Sequence, residues 1–208
     1  KYQNYIRDYM AVIASVDESV GRLLDYLDKN NLSDNTIIVY TSDQGFYMGE
    51  HGWFDKRFMY EESFHTPLII SYPKHIQPKS ECNQMVQNID FAPTFLDMCG
   101  ISIPQDMQGV SFKELVEKGK TPRDWRKSLY YHYYEFPGFH SVRAHYGVKM
   151  ERYKLMHFYV DDNWELYDLK TDPEEMHNLY GKKGMEKITT ELKAELARLQ
   201  KEYDVPQE

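Results

Sequence analysis

The chain has 208 residues, of which 41% are hydrophobic and 28% charged, a balance that excludes wholesale disorder and allows a sizeable core. The net charge of −8 at pH 7 argues against nucleic acid as the main partner, because phosphate contacts need clustered Lys and Arg. Its apolar runs are far shorter than the roughly 20 residues that cross a bilayer, so no transmembrane segment is predicted. Two cysteines, Cys82 and Cys99, make no disulfide framework.

The N-terminus carries no recognisable targeting pattern. The chain opens on Lys1, without an initiator Met or the charged and apolar regions of a signal peptide. A helical pattern begins almost at once, so we expect the sequence to be a piece of a larger protein.

The first part of the chain has the pattern of an α/β fold. Apolar residues at spacings of three and four predict an amphipathic helix over residues 5–28. The apolar runs at 36–40 and 67–73 predict two strands buried on both faces, as in a parallel sheet, with a long loop at 46–66 between them. A short helix over 90–98 follows, with Asp90 as its N-cap and Gly100 just past its end.

The second part of the chain has the pattern of an antiparallel β-sheet. Short aromatic-rich segments separated by turns predict an antiparallel sheet, and they occupy residues 129–134, 142–150, 153–159 and 164–168. Residues 186–202 predict a closing helix. Gly119 and Pro122 mark the boundary, so we predict an α/β domain over residues 1–120 and an antiparallel subdomain over 121–208.

Asp43 and Gln44 follow the first predicted strand. Ligands of open α/β sheets bind at the carboxyl ends of parallel strands, which is where Asp43 is expected. Carboxylate and amide oxygens suit Ca²⁺ or Mg²⁺, although Ca²⁺ takes about six to eight oxygens and most must come from elsewhere. The alternative is that Asp43 caps the loop and Gln44 is a surface amide.

Lys56 lies thirteen residues after Asp43. A lysine beside a divalent cation indicates an anion between them, such as a sulfate or phosphate ester. His51 is placed to donate a proton to a leaving-group oxygen or a sugar hydroxyl. The alternatives are a solvated loop lysine and a structural histidine.

Nine short segments follow one another in a recognisable order: Ser42-Asp43-Gln44-Gly45, Gly49-Glu50-His51-Gly52, Lys56, Tyr60-Glu61, Thr66-Pro67-Leu68-Ile69-Ile70, Asp90-Phe91-Ala92-Pro93-Thr94, Glu165-Leu166-Tyr167-Asp168-Leu169, Asp172-Pro173-Glu174-Glu175 and Asn178-Leu179. Taken in order, they resemble the C-terminal half of a type I sulfatase of the alkaline phosphatase superfamily, and most closely the bacterial N-acetylglucosamine-6-sulfatase-like and mucin-desulfating enzymes. Iduronate-2-sulfatase shares the Gly-Glu-His-Gly stretch.

The resemblance implies a fold and a set of roles. The fold would be the C-terminal part of a doubly wound mixed sheet plus a smaller antiparallel sheet with a closing helix. Asp43 and Gln44 would be Ca²⁺ ligands, although the family often has Asn or His in place of Gln44. Lys56 would contact the sulfate and the bridging oxygen, and His51 would lie at the sugar subsite. Apart from the resemblance, the loop at 136–145 is rich in groups that bind sugar hydroxyls and ring faces, so we expect His140 and Arg143 to bind substrate; the alternative is a polar hairpin.

The implied activity is removal of sulfate from a sulfated glycan or aminosugar, in the periplasm or at the surface of a bacterium. The family nucleophile is a formylglycine made in a [Cys/Ser]-x-Pro-x-Arg motif, and this sequence lacks one. Ser71 and Pro73 come nearest, but His75 stands where Arg is needed. We therefore expect the nucleophile and the remaining metal ligands on a missing N-terminal half.

Two other functions stay open. One is a phosphatase or phosphonate hydrolase of the same superfamily, against which the amide ligand Gln44 argues, since those enzymes favour His ligands. The other is a non-catalytic glycan-binding fragment.

Overall fold

The computed structural model describes residues 1–206. Its α-helices are α1 (Tyr2–Lys29), α2 (Glu61–Phe64), α3 (Phe91–Met98), α4 (Lys113–Lys118) and α5 (Glu186–Glu202). Its strands are β1 (Ile38–Thr41), β2 (Tyr47–Met48), β3 (Phe54–Asp55), β4 (Leu68–Ser71), β5 (Ser128–Tyr133), β6 (His145–Met150), β7 (Tyr153–Phe158) and β8 (Asn163–Asp168).

The described residues form two compact units. The first contains Lys1–Ser42 and Pro67–Glu81, and the second contains residues 43–66 and 82–206. The predicted domain boundary near residue 120 stays a prediction. No helix within residues 1–206 combines the length and the apolar character needed to cross a bilayer.

The first unit contains the predicted long helix and the two predicted apolar strands. Helix α1 is confirmed over Tyr2–Lys29. The parallel arrangement expected for the strands is wrong, because β1 pairs with β4 in the antiparallel direction, with Val39 opposite Ile70. A continuous apolar run carries no information about strand direction. A parallel pair also needs a crossover, usually a helix, whereas the one α-helix between these strands, α2, has only four residues.

Burial of these strands on both faces is also wrong for the chain as described. Ile69 is 64% exposed and Tyr40 43% exposed. Helix α1 has no buried residue, and its apolar side chains Ile13 and Val16 are about as exposed as Tyr40. Strands of this type are buried only when other elements cover both faces. The first unit therefore presents a large apolar surface.

The second unit is built on the predicted antiparallel sheet, which is confirmed with strand order β5-β6-β7-β8. Helix α5 covers one face through a core that includes Val148, Leu155, Leu166 and Leu196. The opposite face packs on Met59 through the residues Met156, Phe158 and Tyr167. The sheet thus supports the segment that follows Lys56.

Helix α3 occupies the predicted position, and Asp90 stands at its N-cap. The Asp90 side chain does not cap this helix, because it is buried and engaged elsewhere. It accepts the backbone N–H groups of Gln87 (2.7 Å) and Val110 (2.8 Å) and forms a two-pronged ion pair with Arg126. Gly100 follows the helix with φ of 71°, as predicted for a helix end.

Candidate functional site

The loop that carries Asp43 and Gln44 is held by backbone hydrogen bonds within the second unit. The Asp43 carboxylate accepts the N–H of Gln44 at 3.0 Å, and the Asp43 carbonyl accepts from the Asn88 side chain at 2.7 Å. The N–H of Gly45 donates to the Ser63 carbonyl at 2.8 Å. A Cβ on Gly45 would lie only 1.8 Å from the Glu62 carbonyl oxygen. Only glycine therefore lets this loop approach α2 so closely.

Lys56 lies in a strained stretch of backbone directly after β3. Its neighbours Asp55 and Arg57 have φ values of 141° and 101°, a region that non-glycine residues rarely adopt. Such strain concentrates at functional sites, where the surrounding structure must hold it in place. The side chain of Lys56 is half-buried.

Ser63, a buried residue of α2, joins these two loops. Its carbonyl accepts from Gly45, and its hydroxyl oxygen accepts the N–H of Arg57 at 3.2 Å. One residue thus fixes the backbone next to Gln44 and the backbone next to Lys56. The predicted metal-ligand loop and the predicted sulfate-binding lysine are therefore anchored on a common support.

His140 contacts Asp55, the residue that precedes Lys56. Its Nδ1 lies 3.1 Å from Oδ2 of Asp55, which also pairs with Nη1 of Arg57 at 2.6 Å. Arg143 pairs instead with Asp161 at 3.1 Å, in the turn between β7 and β8, and lies over the Phe136 ring. Of the two predicted substrate-binding residues of this loop, only His140 contacts the surroundings of Lys56.

His51 packs beside the same segment. Its ring stacks on Tyr60 with 4.1 Å between centroids, and its Nε2 lies 3.4 Å from a carboxylate oxygen of Glu62. The residue adopts φ of 52°, between two glycines with positive φ, Gly49 and Gly52. His51 is therefore held in place by packing, with its ring against the chain that follows Lys56.

Tyrosine hydroxyls bind the backbone that follows Lys56. Tyr131 donates to the carbonyl of Arg57, and Tyr47 donates to the carbonyl of Phe58 at 3.1 Å. Burial raises the pKa of Tyr131 to about 12 and that of Tyr47 further still. Both hydroxyls therefore keep their protons and remain donors at physiological pH.

The donor set of the Asp43 loop fits a hard cation in part. Asp43 and Gln44 offer carboxylate and amide oxygens, the donor types that Ca²⁺ and Mg²⁺ take. Within residues 1–206, no group of three or more His, Cys, Asp or Glu side chains is arranged to hold a metal. The role of Asp43 and Gln44 as ligands of such a cation stays a prediction.

Residues 49–202 match the family model for the C-terminal region of N-sulphoglucosamine sulphohydrolase. The chain belongs to this sulfatase family. It is 58% identical over 205 residues to an N-acetylglucosamine-6-O-sulfatase of Bacteroides thetaiotaomicron, covering 98% of this chain but 37% of that protein. The sulfatase chain therefore spans little more than a third of the length of this curated relative.

Solved structures agree with this assignment and with the predicted α/β fold. The sulfatase chain matches BT4656 in complex with its substrate D-glucosamine-2-N,6-O-disulfate, with TM-score 0.95, 57% identity and coverage of 98% of this chain and 42% of that one. It also matches the phosphonate monoester hydrolase SpPMH from Silicibacter pomeroyi, with TM-score 0.79, 27% identity and coverage of 89% and 38%.

The structure adds residues that the sequence reasoning missed. Asp55 and Arg57 form the polar cluster with His140, and Lys154 is fully buried beneath the segment after Lys56. Lys154 had a signal in the sequence, because it shares one face of the predicted strand with the apolar residues Met156 and Phe158. A charge on such a face indicates a buried ion pair.

Proposed function

We propose that the chain is the C-terminal part of a sulfuric ester hydrolase that removes sulfate from a sulfated aminosugar or glycan. The observation that carries the proposal is the joint anchoring of the Asp43 loop and the Lys56 loop on Ser63. Supporting it is the 58% identity to an N-acetylglucosamine-6-O-sulfatase. A hard-oxygen donor pair and a lysine on one support suit an ester whose sulfate oxygens are shared between a cation and an ammonium group.

Each residue has a stated role in this proposal. Asp43 and Gln44 would hold Ca²⁺, together with ligands from the rest of the protein. When bound, Ca²⁺ polarises the sulfate group of the ester. Lys56 binds the sulfate and stabilises the negative charge that develops on the bridging oxygen. His51 and His140 bind sugar hydroxyls, and Arg143, half-exposed beside Asp161, binds a part of the substrate further from Lys56.

We further propose that an N-terminal part of the protein covers the apolar surface of the first unit. The exposed apolar residues of α1, β1 and β4 suit burial against further elements of an α/β sheet. That part would supply the formylglycine nucleophile and the other metal ligands. Location in the periplasm or at a bacterial surface follows from the family resemblance alone and is tested by cell fractionation.

The experiment is an assay of the full-length protein with matched aryl sulfate, aryl phosphate and aryl phosphonate esters, alongside glucosamine 6-sulfate. We expect turnover of the sulfates to exceed that of the phosphorus esters by orders of magnitude. Equal or faster turnover of the phosphorus esters would contradict the proposal.

A phosphonate monoester hydrolase is the second candidate, because 89% of this chain aligns with SpPMH at 27% identity. The amide ligand Gln44 argues against it, since a softer metal would favour His at this position. The aryl phosphonate arm of the assay decides between the two.

A further inference from the structure

A buried ionic network lies beneath the segment of residues 56–61, here called the Lys56 segment. Lys154 on β7 is fully buried, and Glu175 is 2% exposed. The ammonium Nζ of Lys154 lies 2.7 Å from a carboxylate oxygen of Glu61 and 2.8 Å from one of Glu175. Lys149 on β6 adds a second cation, 2.7 Å from Glu61.

This network binds the backbone of the segment as well as its side chains. Lys154 donates to the carbonyl of Met59 at 2.7 Å, and the N–H of Glu61 donates to Glu175 at 2.7 Å. These two backbone groups flank Tyr60, whose hydroxyl donates to Glu165 at 2.8 Å. Neither group has a partner within regular structure, because Met59 precedes α2 and the N–H of Glu61 belongs to its first turn. An unpaired buried polar group is costly.

The side chain of Met59 fixes the same segment against the sheet. Met59 is fully buried, and its sulfur would lie 2.6 Å from a Cβ added to Gly147 on β6. The segment is therefore locked to β6 and β7 by one apolar side chain and by the ionic network.

The two carboxylates of the network differ in the direction of their pKa shifts. Burial alone would raise the pKa of Glu61, but Lys154 and Lys149 bring that pKa below its usual value. At Glu175, burial raises the pKa despite the opposing effect of Lys154. Glu61 is thus the firmly ionised partner, between two lysines.

We propose that Lys154 and Glu175 are positioning residues that hold Lys56 at the angle needed to meet the sulfate ester. The inference rests on the proposed function, in which Lys56 contacts the sulfate. It assigns a role to the Asp172-Pro173-Glu174-Glu175 motif, which lies more than a hundred residues from Lys56 in the sequence and touches its segment through Glu175. A displacement of about 1 Å in a catalytic group costs on the order of 100-fold in rate.

The test replaces the pair together in the full-length protein, as Lys154→Met with Glu175→Gln, so that neither charge is left buried alone. We expect kcat on glucosamine 6-sulfate to fall by roughly 10-fold to 100-fold while KM changes by less than about threefold. The matched control is Arg198→Met with Glu195→Gln. It removes an ion pair on α5, with Nη2 and Oε1 2.8 Å apart, whose hydrogen bonds in the described residues go to Ser128 and Glu202 rather than to the Lys56 segment. An equal fall in kcat in the control variant and in the Lys154 and Glu175 variant overturns the inference.

Hydrogen exchange separates positioning from general loss of stability. We expect faster exchange of the amides at 57–61 in the Lys154 and Glu175 variant, at unchanged protection of α5. Unchanged exchange at 57–61 overturns the inference whatever the activity. If the double variant fails to fold, Glu175→Gln alone carries the same two measurements, with smaller changes expected.

A mutant cycle with Lys56→Ala distinguishes the two proposals. In the Lys56→Ala background the network variant should lower kcat by less than about twofold, because Lys56 is no longer there to be positioned. If the network variant lowers kcat by the same factor with and without Lys56, the positioning role is overturned while the proposed role of Lys56 stands. Full turnover by Lys56→Ala itself overturns the proposed role of Lys56, and with it the inference.

Discussion

The carbonyl oxygen of Ser63 accepts the N–H of Gly45 at 2.8 Å, and this bond places the Asp43 loop against α2. The hydroxyl of the same serine receives the N–H of Arg57. A four-residue helix thus acts as the common support of the Asp43 loop and the Lys56 loop. The geometry of the site depends on how closely each loop approaches that helix.

Gly45→Ala is expected to abolish most of the activity. The new Cβ would lie 1.8 Å from the Glu62 carbonyl oxygen, so the Asp43 loop must move away from α2. The control is Gly119→Ala, which meets no atom within 4 Å but has φ of 60° and costs about 1 kcal/mol of stability. The rate of sulfate release at a temperature below both unfolding transitions checks this. Equal activity of the two variants would show that the close approach is unimportant.

Removal of divalent metal is expected to inactivate the full-length protein. Asp43 and Gln44 offer hard oxygens, so Ca²⁺ or Mg²⁺ should restore activity after chelation and dialysis. Asp43→Asn keeps the shape of the side chain but loses its charge, and it should raise the Ca²⁺ concentration needed for half-maximal recovery. The same recovery curve for wild type and Asp43→Asn would remove Asp43 from the metal site.

His145 is expected to make stability fall in acid. It is fully buried, and burial lowers its pKa from 6.5 to about 4. Between these values the unfolded chain takes up a proton that the folded protein does not, so stability decreases as pH falls, by at most about 1.4 kcal/mol per pH unit. Below about pH 4 both states carry the proton, and the free energy of unfolding no longer changes with pH through His145.

The variant His145→Phe keeps an aromatic ring next to Phe158, whose centroid lies 4.9 Å away. Its Tm should depend less on pH than that of wild type between pH 6.5 and 4. Two parallel curves of Tm against pH would show that His145 does not titrate in this window.

The ion pair of Asp90 with Arg126 is expected to stabilise the second unit. Asp90 is fully buried and also accepts two backbone N–H groups, so Arg126→Met leaves a buried carboxylate without its cation. Such a loss costs about 3–5 kcal/mol. Lys118→Met breaks an exposed pair with Glu114 and should cost little. The measurement is Tm, and similar Tm values for the two variants would contradict the expectation.

The sequence predicts some parts of this molecule better than others for physical reasons. The sheet of β5 to β8 and helix α5 are predicted within a few residues, because turns separate the strands and the helix has a strong apolar period. The direction of β1 against β4 is not, since a continuous apolar run fits either direction. The network of Lys154, Glu61 and Glu175 depends on strand register and on contacts across about a hundred residues, which a pattern of spacing does not encode.

In the candidate site, too, the sequence predicts some residues, whereas other contacts are visible only in the fold. Asp43, Gln44 and Lys56 emerge from motif order and ligand chemistry, and their roles stay predictions. The contact of His140 with Asp55 comes from a loop more than eighty residues away and is visible only in the fold.

The most direct test of the account is sulfate release from glucosamine 6-sulfate by the full-length protein and its Lys56→Ala variant, with both shown to be folded by their Tm. We expect the wild type to release sulfate and the variant to lose about 100-fold to 1000-fold in kcat, because Lys56 stabilises the charge that develops in the transition state. Sulfate release by Lys56→Ala at the wild-type rate would contradict this expectation.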